Sequence, residues 1–313
     1  MIVVAGEALI DLVPLGSSPD DGAERRAPGL PPLAPRLGGG PYNTAVALGR
    51  LGSPVAFCSR LSRDGFGEAL LAGLRSAGVD TAPVQRGDEP TTLAVTSIGP
   101  DGSAGYSFYA EGTADRLFSA PDRLPAGTRA VSFGTCSLVL EPGASAYEEL
   151  MRTAAAQGLF TALDPNIRAG LISDADAYRA RFKNWLPSTT LLKLSEEDAQ
   201  WLGGTPREWL SGGPAAVVLT RGGDGLTVYT RDGGEYAVPG ERVEVVDTIG
   251  AGDTVNAALL HGLSRQGALS PAAVDGLDGD GWTRLLGFAA RAAAITCSRA
   301  GAEPPFGSEV GEV

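Results

Sequence analysis

The chain has 313 residues, with 25 Lys+Arg against 37 Asp+Glu and a formal net charge of −12 at pH 7. Only Lys183 and Lys193 are lysines, and the arginines form no basic run. This balance excludes a nucleic-acid binder, which must neutralise phosphates, and a membrane-surface protein held by a polybasic face. Hydrophobic residues at 43% and charged residues at 20% describe a globular chain long enough to bury a sizeable core. The three cysteines, Cys58, Cys136 and Cys297, lie far apart without a C-x-x-C pair. They are expected to be reduced thiols of a cytoplasmic protein.

In chain order, residues 2–5 are a β-branched run of the buried-strand type. The apolar start carries Glu7 and Asp11 and no basic segment, so it is expected to be a strand and not a signal peptide. No run of about 18 uncharged apolar residues occurs, and no membrane span is expected. Residues 19–35, rich in Pro, Gly and Asp, predict an exposed loop or lid segment. A helix is expected over 42–51, stopped by Gly52, then a strand over 55–58 and a helix over 65–77 ended by Gly78. Residues 91–98 and 106–110 predict paired strands about a turn at Pro100-Asp101-Gly102.

The second half alternates more regularly. Strands are expected over 130–133, 160–163, 190–194 and 216–219, with helices near 146–157, 175–185 and 196–202 between them. This alternation predicts right-handed βαβ units and a parallel sheet covered on both faces. A hairpin over 226–230 and 235–238 turns at Asp232-Gly233-Gly234, and helices follow near 252–265 and 282–296. Ligands of such sheets bind beyond the carboxyl ends of the strands.

Asp247-Thr248-Ile249-Gly250-Ala251-Gly252-Asp253-Thr254 joins an apolar stretch, 243–246, to a helix. The amides of Gly250 to Asp253 would sit at a helix N-terminus, where unpaired N–H groups and the dipole favour an anion. Asp253 beside them suits a base that takes a proton from an attacking hydroxyl. Taken alone, the motif fits equally an Asp N-cap after a Gly-rich turn. Val255 breaks G-x-G-x-x-G, and neither lysine follows a glycine, which removes the dinucleotide and Walker fingerprints.

Gly38-Gly39-Gly40 is either a close approach of backbone to a small ligand, with Asn43 one turn on, or a flexible turn. The single histidine, His261, lies one or two turns into the helix after Asp253, which argues against a histidine-dependent triad and a multi-histidine metal site, and it is expected to be structural. Asp164-Pro165-Asn166-Ile167-Arg168, Lys193-Leu194-Ser195-Glu196-Glu197-Asp198 and Thr220-Arg221-Gly222-Gly223-Asp224-Gly225 each follow a predicted strand. Each has a plain alternative: a Pro turn, a capping box of Ser195 with Asp198, and a turn into the hairpin. Together with the Asp253 motif they would share one sheet edge.

This set resembles the phosphofructokinase-B/ribokinase family of sugar kinases over nearly the whole chain. The first family signature is Gly38-Gly39-Gly40-Pro41-Tyr42-Asn43 through Gly52 to Asp64-Gly65-Phe66-Gly67. The second, D-T-x-G-A-G-D, is Asp247 to Asp253. The resemblance implies a ribokinase-like α/β fold spanning 1–313: a mostly parallel central sheet between helices, and a small β lid from segments 11–37 and 91–110. It implies Asp253 as general base and Gly250, Ala251 and Gly252 as the anion hole. It assigns Asp11, Gly39, Gly40, Asn43, Tyr109 and Arg168 to the sugar. Thr220, Gly222 and Gly225 would contact ATP, and Lys193 would fall in the nucleotide region. Glu196 would hold magnesium through water; Lys193 stands where the family's N-x-x-E element has Asn. Asp247 and the Ile249 carbonyl match a monovalent-cation site, for potassium. A homodimer through the lid is implied.

Glu7, residues 109–116 and the runs from Asp164 and Lys193 resemble bacterial fructokinases. The expected reaction is therefore transfer of the γ-phosphoryl group of ATP to a primary hydroxyl of free fructose. 2-Keto-3-deoxygluconate kinase shares D-x-N-x-R and is the near alternative. A non-catalytic sugar sensor on the same scaffold is the alternative from another class, against which the intact Asp253 motif argues.

Overall fold

The computed structural model describes residues 1–15, 32–98 and 104–313. Its strands are β1 (Ile2–Ala5), β2 (Leu9–Pro14), β3 (Leu33–Gly38), β4 (Val55–Cys58), β5 (Arg60–Ser62), β6 (Gln85–Gly87), β7 (Leu93–Ile98), β8 (Ala104–Tyr109), β9 (Ala130–Gly134), β10 (Phe160–Asp164), β11 (Leu191–Ser195), β12 (Ala216–Thr220), β13 (Leu226–Thr230) and β14 (Glu235–Val238). Its α-helices are α1 (Gly40–Arg50), α2 (Gly65–Ser76), α3 (Gly143–Ala156), α4 (Ala175–Trp185), α5 (Glu196–Leu202), α6 (Pro206–Ser211), α7 (Ala251–Arg265), α8 (Pro271–Asp275), α9 (Gly279–Cys297) and α10 (Gly307–Val310).

Eight strands form the main sheet in the order β14-β13-β12-β11-β10-β9-β1-β4. From β12 to β4 neighbours are parallel; β13 and β14 complete the edge antiparallel. Successive side chains of a strand point to opposite faces, so a strand covered on both sides must be apolar throughout. In β1, Ile2 and Val4 join the core formed with α1, α7 and α9, around Leu48, Leu259 and Trp282. Val3 and Ala5 join the second core, with Tyr147 of α3 and Phe182 and Trp185 of α4. The expected α/β architecture with helices on both faces is present.

A second sheet runs β3-β2-β7-β8. Pro35 sits in β3, an edge strand of that sheet, where a residue without an N–H is tolerated. The register aligns Ile10 and Leu37 with Leu93 and Tyr109 on one face, and Asp11 and Arg36 with Ala94 and Phe108 on the other. Both segments, 11–37 and 91–110, therefore contribute strands to one small sheet. The turn at Pro100-Asp101-Gly102 lies outside the described residues, as does the 19–31 portion of the expected loop; Leu33 to Pro35 belong to β3. The β5–β6 pair and α6, α8 and α10 were not foreseen, being too short for periodicity to register.

Candidate active site

The 243–246 stretch forms no strand: Val245 and Val246 are exposed, and the chain runs on to a left-handed Gly250 (φ 77°) that caps α7. A Cβ at Gly250 would lie 2.6 Å from Ala302 Cβ. Only glycine meets both demands, positive φ and close approach. Asp247 fastens this turn, accepting the Ile249 amide (3.0 Å) and the Gly301 amide (2.9 Å) on its two oxygens. The Ala251 amide bonds weakly back to Thr248 O at 3.3 Å. Among the described residues the amides of Gly250, Gly252 and Asp253 have no backbone partner, and they remain for an anion at the positive end of a 15-residue helix.

Asp253 is buried in the first turn of α7. Asn43 of α1 donates to its Oδ2 at 2.9 Å. Gly40, which opens α1, lies so close that a Cβ there would be 2.4 Å from Thr135 Oγ1 and 3.2 Å from Asp253 Oδ1. The two family signatures, two hundred residues apart in sequence, thus meet at one carboxylate. Burial pushes the Asp253 carboxyl up, and Asp11 adds to this; the Asn43 hydrogen bond, Lys193 and Arg168 oppose it, and the net direction is upward. A raised carboxylate is a stronger proton acceptor.

Asp253 opens onto a cavity of about 460 Å³ between the two sheets. Asp11, Gly39, Gly40, Asn43 and Arg168 line it with Gly250 and Gly252, so the structure brings these sequence-nominated residues together. Burial raises Asp11 to about 6 against the pull of Arg168. Arg168 is aimed by Asn166, whose Oδ1 accepts from its guanidinium at 2.7 Å. Tyr109 is a correction. It is 64% exposed and does not line the cavity, because the register puts it with Leu93 on the opposite face; Phe108 takes the inward place.

On the carboxyl edge, Ser195 and Asp198 form the expected capping box, and Asp198 Oδ1 also accepts the Ile167 amide at 2.8 Å, which positions the loop before Arg168. Glu196 stands at the start of α5, its side chain 57% exposed and 3.8 Å from Arg221. Thr220 pairs with Ser195 and opens the turn of Gly222 and Gly225. Lys193 is set apart from this exposed group. It lies within β11, not beyond it, buried against Asp164 at 2.7 Å. His261 is structural, as expected: it bonds Ser53 Oγ through Nδ1 at 2.8 Å and stacks on Phe288. The three cysteines are free. Among the described residues no cluster of three His, Cys, Asp or Glu could hold a metal ion, and no helix is long and apolar enough to cross a membrane.

Sequence reasoning missed three features. Thr135 (φ 63°) and Asn166 (φ 40°) both take the left-handed conformation and both line the cavity. Such strain in non-glycine residues gathers at functional sites. Glu7, also on the cavity, is buried with Oε1 unpartnered among the described residues; Oε2 accepts the Ser137 amide at 2.9 Å, and burial raises its carboxyl to about 7. The advance signals were an acid within an apolar strand-like start and its resemblance to the fructokinase pattern, neither of which gave Glu7 a role.

Known proteins resemble the chain over nearly its whole length. The model of the pfkB family carbohydrate kinases matches residues 1–307. The chain is similar to a fructokinase of Rhizobium leguminosarum bv. trifolii, 39% identical over 89% of this chain and 84% of the relative. It is also similar to fructokinase-1 of Oryza sativa subsp. japonica, 31% identical over 99% and 95%. Among solved structures, Xylella fastidiosa fructokinase with bound ATP superposes with a TM-score of 0.86 at 29% identity, covering 99% of this chain and 96% of that one.

Proposed function

The chain belongs to the pfkB family of carbohydrate kinases and is a fructokinase-like sugar kinase; from that premise we propose that it transfers the γ-phosphoryl group of ATP to a primary hydroxyl of free fructose. The observation that carries the site assignment is Asp253, a buried carboxylate held by Asn43 beside the free amides of α7. The sugar O–H gives its proton to Asp253, the oxygen attacks the γ-phosphorus, and the bond from that phosphorus to the β–γ bridging oxygen breaks to release ADP. The amides of Gly250 and Gly252 take the developing charge, joined by that of Ala251 once its weak bond to Thr248 O gives way. Asp11, Asn43, Gly39, Gly40 and Arg168 hold the sugar. Thr220, Gly222 and Gly225 hold the nucleotide.

Glu196, half-exposed at the head of α5, fits a magnesium ion held through water. When bound, the ion neutralises phosphate charge that this acidic chain cannot. Asp247 and the carbonyl of Ile249 supply the hard oxygens that suit potassium. The small sheet acts as a lid that excludes water as a competing acceptor. A homodimer forms through this lid, whose face away from the cavity leaves Leu33, Leu37 and Tyr109 exposed; sedimentation of the full chain distinguishes one copy from two.

The test is coupled ADP release over fructose, 2-keto-3-deoxygluconate, ribose and nucleosides, with and without magnesium. Fructose is expected to give the highest kcat/KM and chelation to abolish turnover. Failure of every acceptor would refute the assignment. The pH profile follows from the acids. Asp11 and Asp253 must be ionised, and both are raised, Asp11 to about 6. Activity therefore falls as pH drops through the raised range of these acids, Asp11 near 6, by about tenfold per unit for each group that is protonated. A flat profile down to pH 5 would contradict these roles.

A further inference from the structure

Lysine is almost never fully buried, and a cation at a helix N-terminus meets the wrong end of the dipole. Lys193 does both. Its side chain is 4% exposed, and its ammonium lies 3.2 Å from where a Cβ of Gly252 would stand, in the first turn of α7. One of its three N–H donors bonds Asp164 Oδ2 at 2.7 Å, and no second acceptor occurs among the described residues. The other oxygen, Asp164 Oδ1, is buried without a partner among the described residues. Burial alone would lower the lysine, but the carboxylates of Asp164, Asp198 and Asp253 outweigh it and hold it protonated. The ammonium and the first amides of α7 are donors set at the same end of that helix, an arrangement that an anion there would relieve.

We propose that Lys193 is a catalytic residue of the phosphoryl transfer, donating an N–H to an oxygen of the migrating group while Asp164 fixes its position. The inference rests on the sugar-kinase reading above. The proton balance is unchanged: the hydroxyl proton goes to Asp253, the phosphorus–oxygen bond to ADP breaks, and Lys193 keeps its proton throughout. Its contribution is fixed charge that grows in value as the phosphoryl oxygens share charge with the amides. The absence of a side chain at Gly252 is what lets the ammonium approach.

The experiment compares the parent with Lys193→Met, Asp164→Asn and the double variant Lys193→Met/Asp164→Asn. Lys193→Met alone strands a buried carboxylate and tests folding as much as catalysis. The double variant leaves no uncompensated charge, so its fold is expected to survive. The readouts are kcat, the fructose Kd by calorimetry, and the binding of ADP with aluminium fluoride in the presence of fructose. In the double variant kcat and capture of the fluoride complex are expected to fall about 100-fold, with the fructose Kd within threefold of the parent. Asp164→Asn alone is expected to lose less than tenfold. A double variant as active as the parent would make the pair structural and overturn the inference while leaving the kinase assignment standing. A parent inactive on every sugar would overturn both.

Discussion

Asp253→Asn is expected to lower kcat by about 10³-fold or more while leaving the fructose Kd within about threefold. The variant preserves shape, and its carbonyl oxygen can still accept from Asn43, which holds the carboxylate at 2.9 Å in the parent. Folding should not suffer. Burial already disfavours the charged form at this position, so a neutral amide removes a cost. What is lost is the ability to take a proton. Steady-state ADP release gives kcat, and calorimetry with fructose gives the Kd. Turnover within tenfold of the parent would remove Asp253 as the base; a large loss of sugar affinity would make it a binding group.

Gly250→Ala is expected to reduce kcat by about 10²-fold and stability by about 1–3 kcal/mol. The left-handed φ of 77° strains any residue with a Cβ. That Cβ would also lie 2.6 Å from Ala302 Cβ and 3.0 Å from Ala302 Cα, and the backbone of 301–302 is fastened through Gly301 to Asp247. The turn must shift, and the first amides of α7 shift with it. Gly267→Ala is the control, for its φ is 69° and nothing stands within 4 Å. It should lose about 1 kcal/mol in a denaturant titration and keep its kcat. Equal activity in the two variants would show that the Gly250 turn does not place the anion hole.

Both variants fall on features legible in the sequence, because D-T-x-G-A-G-D is one continuous stretch whose local geometry follows from its glycines and the helix after them. The sheet was legible for a similar reason: buried parallel strands such as 160–164 are short apolar runs, and the alternation with helices fixes how they connect. Contacts across strands were not legible. Asp164 and Lys193 both stood out in the sequence, but their pairing depends on β10 lying beside β11, 29 residues on. Tyr109 and Phe108 show the limit most sharply. Either could face the cavity until the register with β7 is known, and one residue of slip exchanges them. Thr135, β-branched, carries no sign of the left-handed backbone it adopts, and Asn166 is of a type that tolerates it without marking where it occurs.

The burial of Lys193 also decides how the molecule can be handled. Of the two lysines, only Lys183 is exposed, on helix α4, which contributes nothing to the cavity lining. Reagents that acylate amines therefore meet, besides the α-amino group of Met1, a single reachable side chain remote from the chemistry. A fluorophore or surface tether coupled there would sit at one defined position on every molecule and leave the sugar's path open.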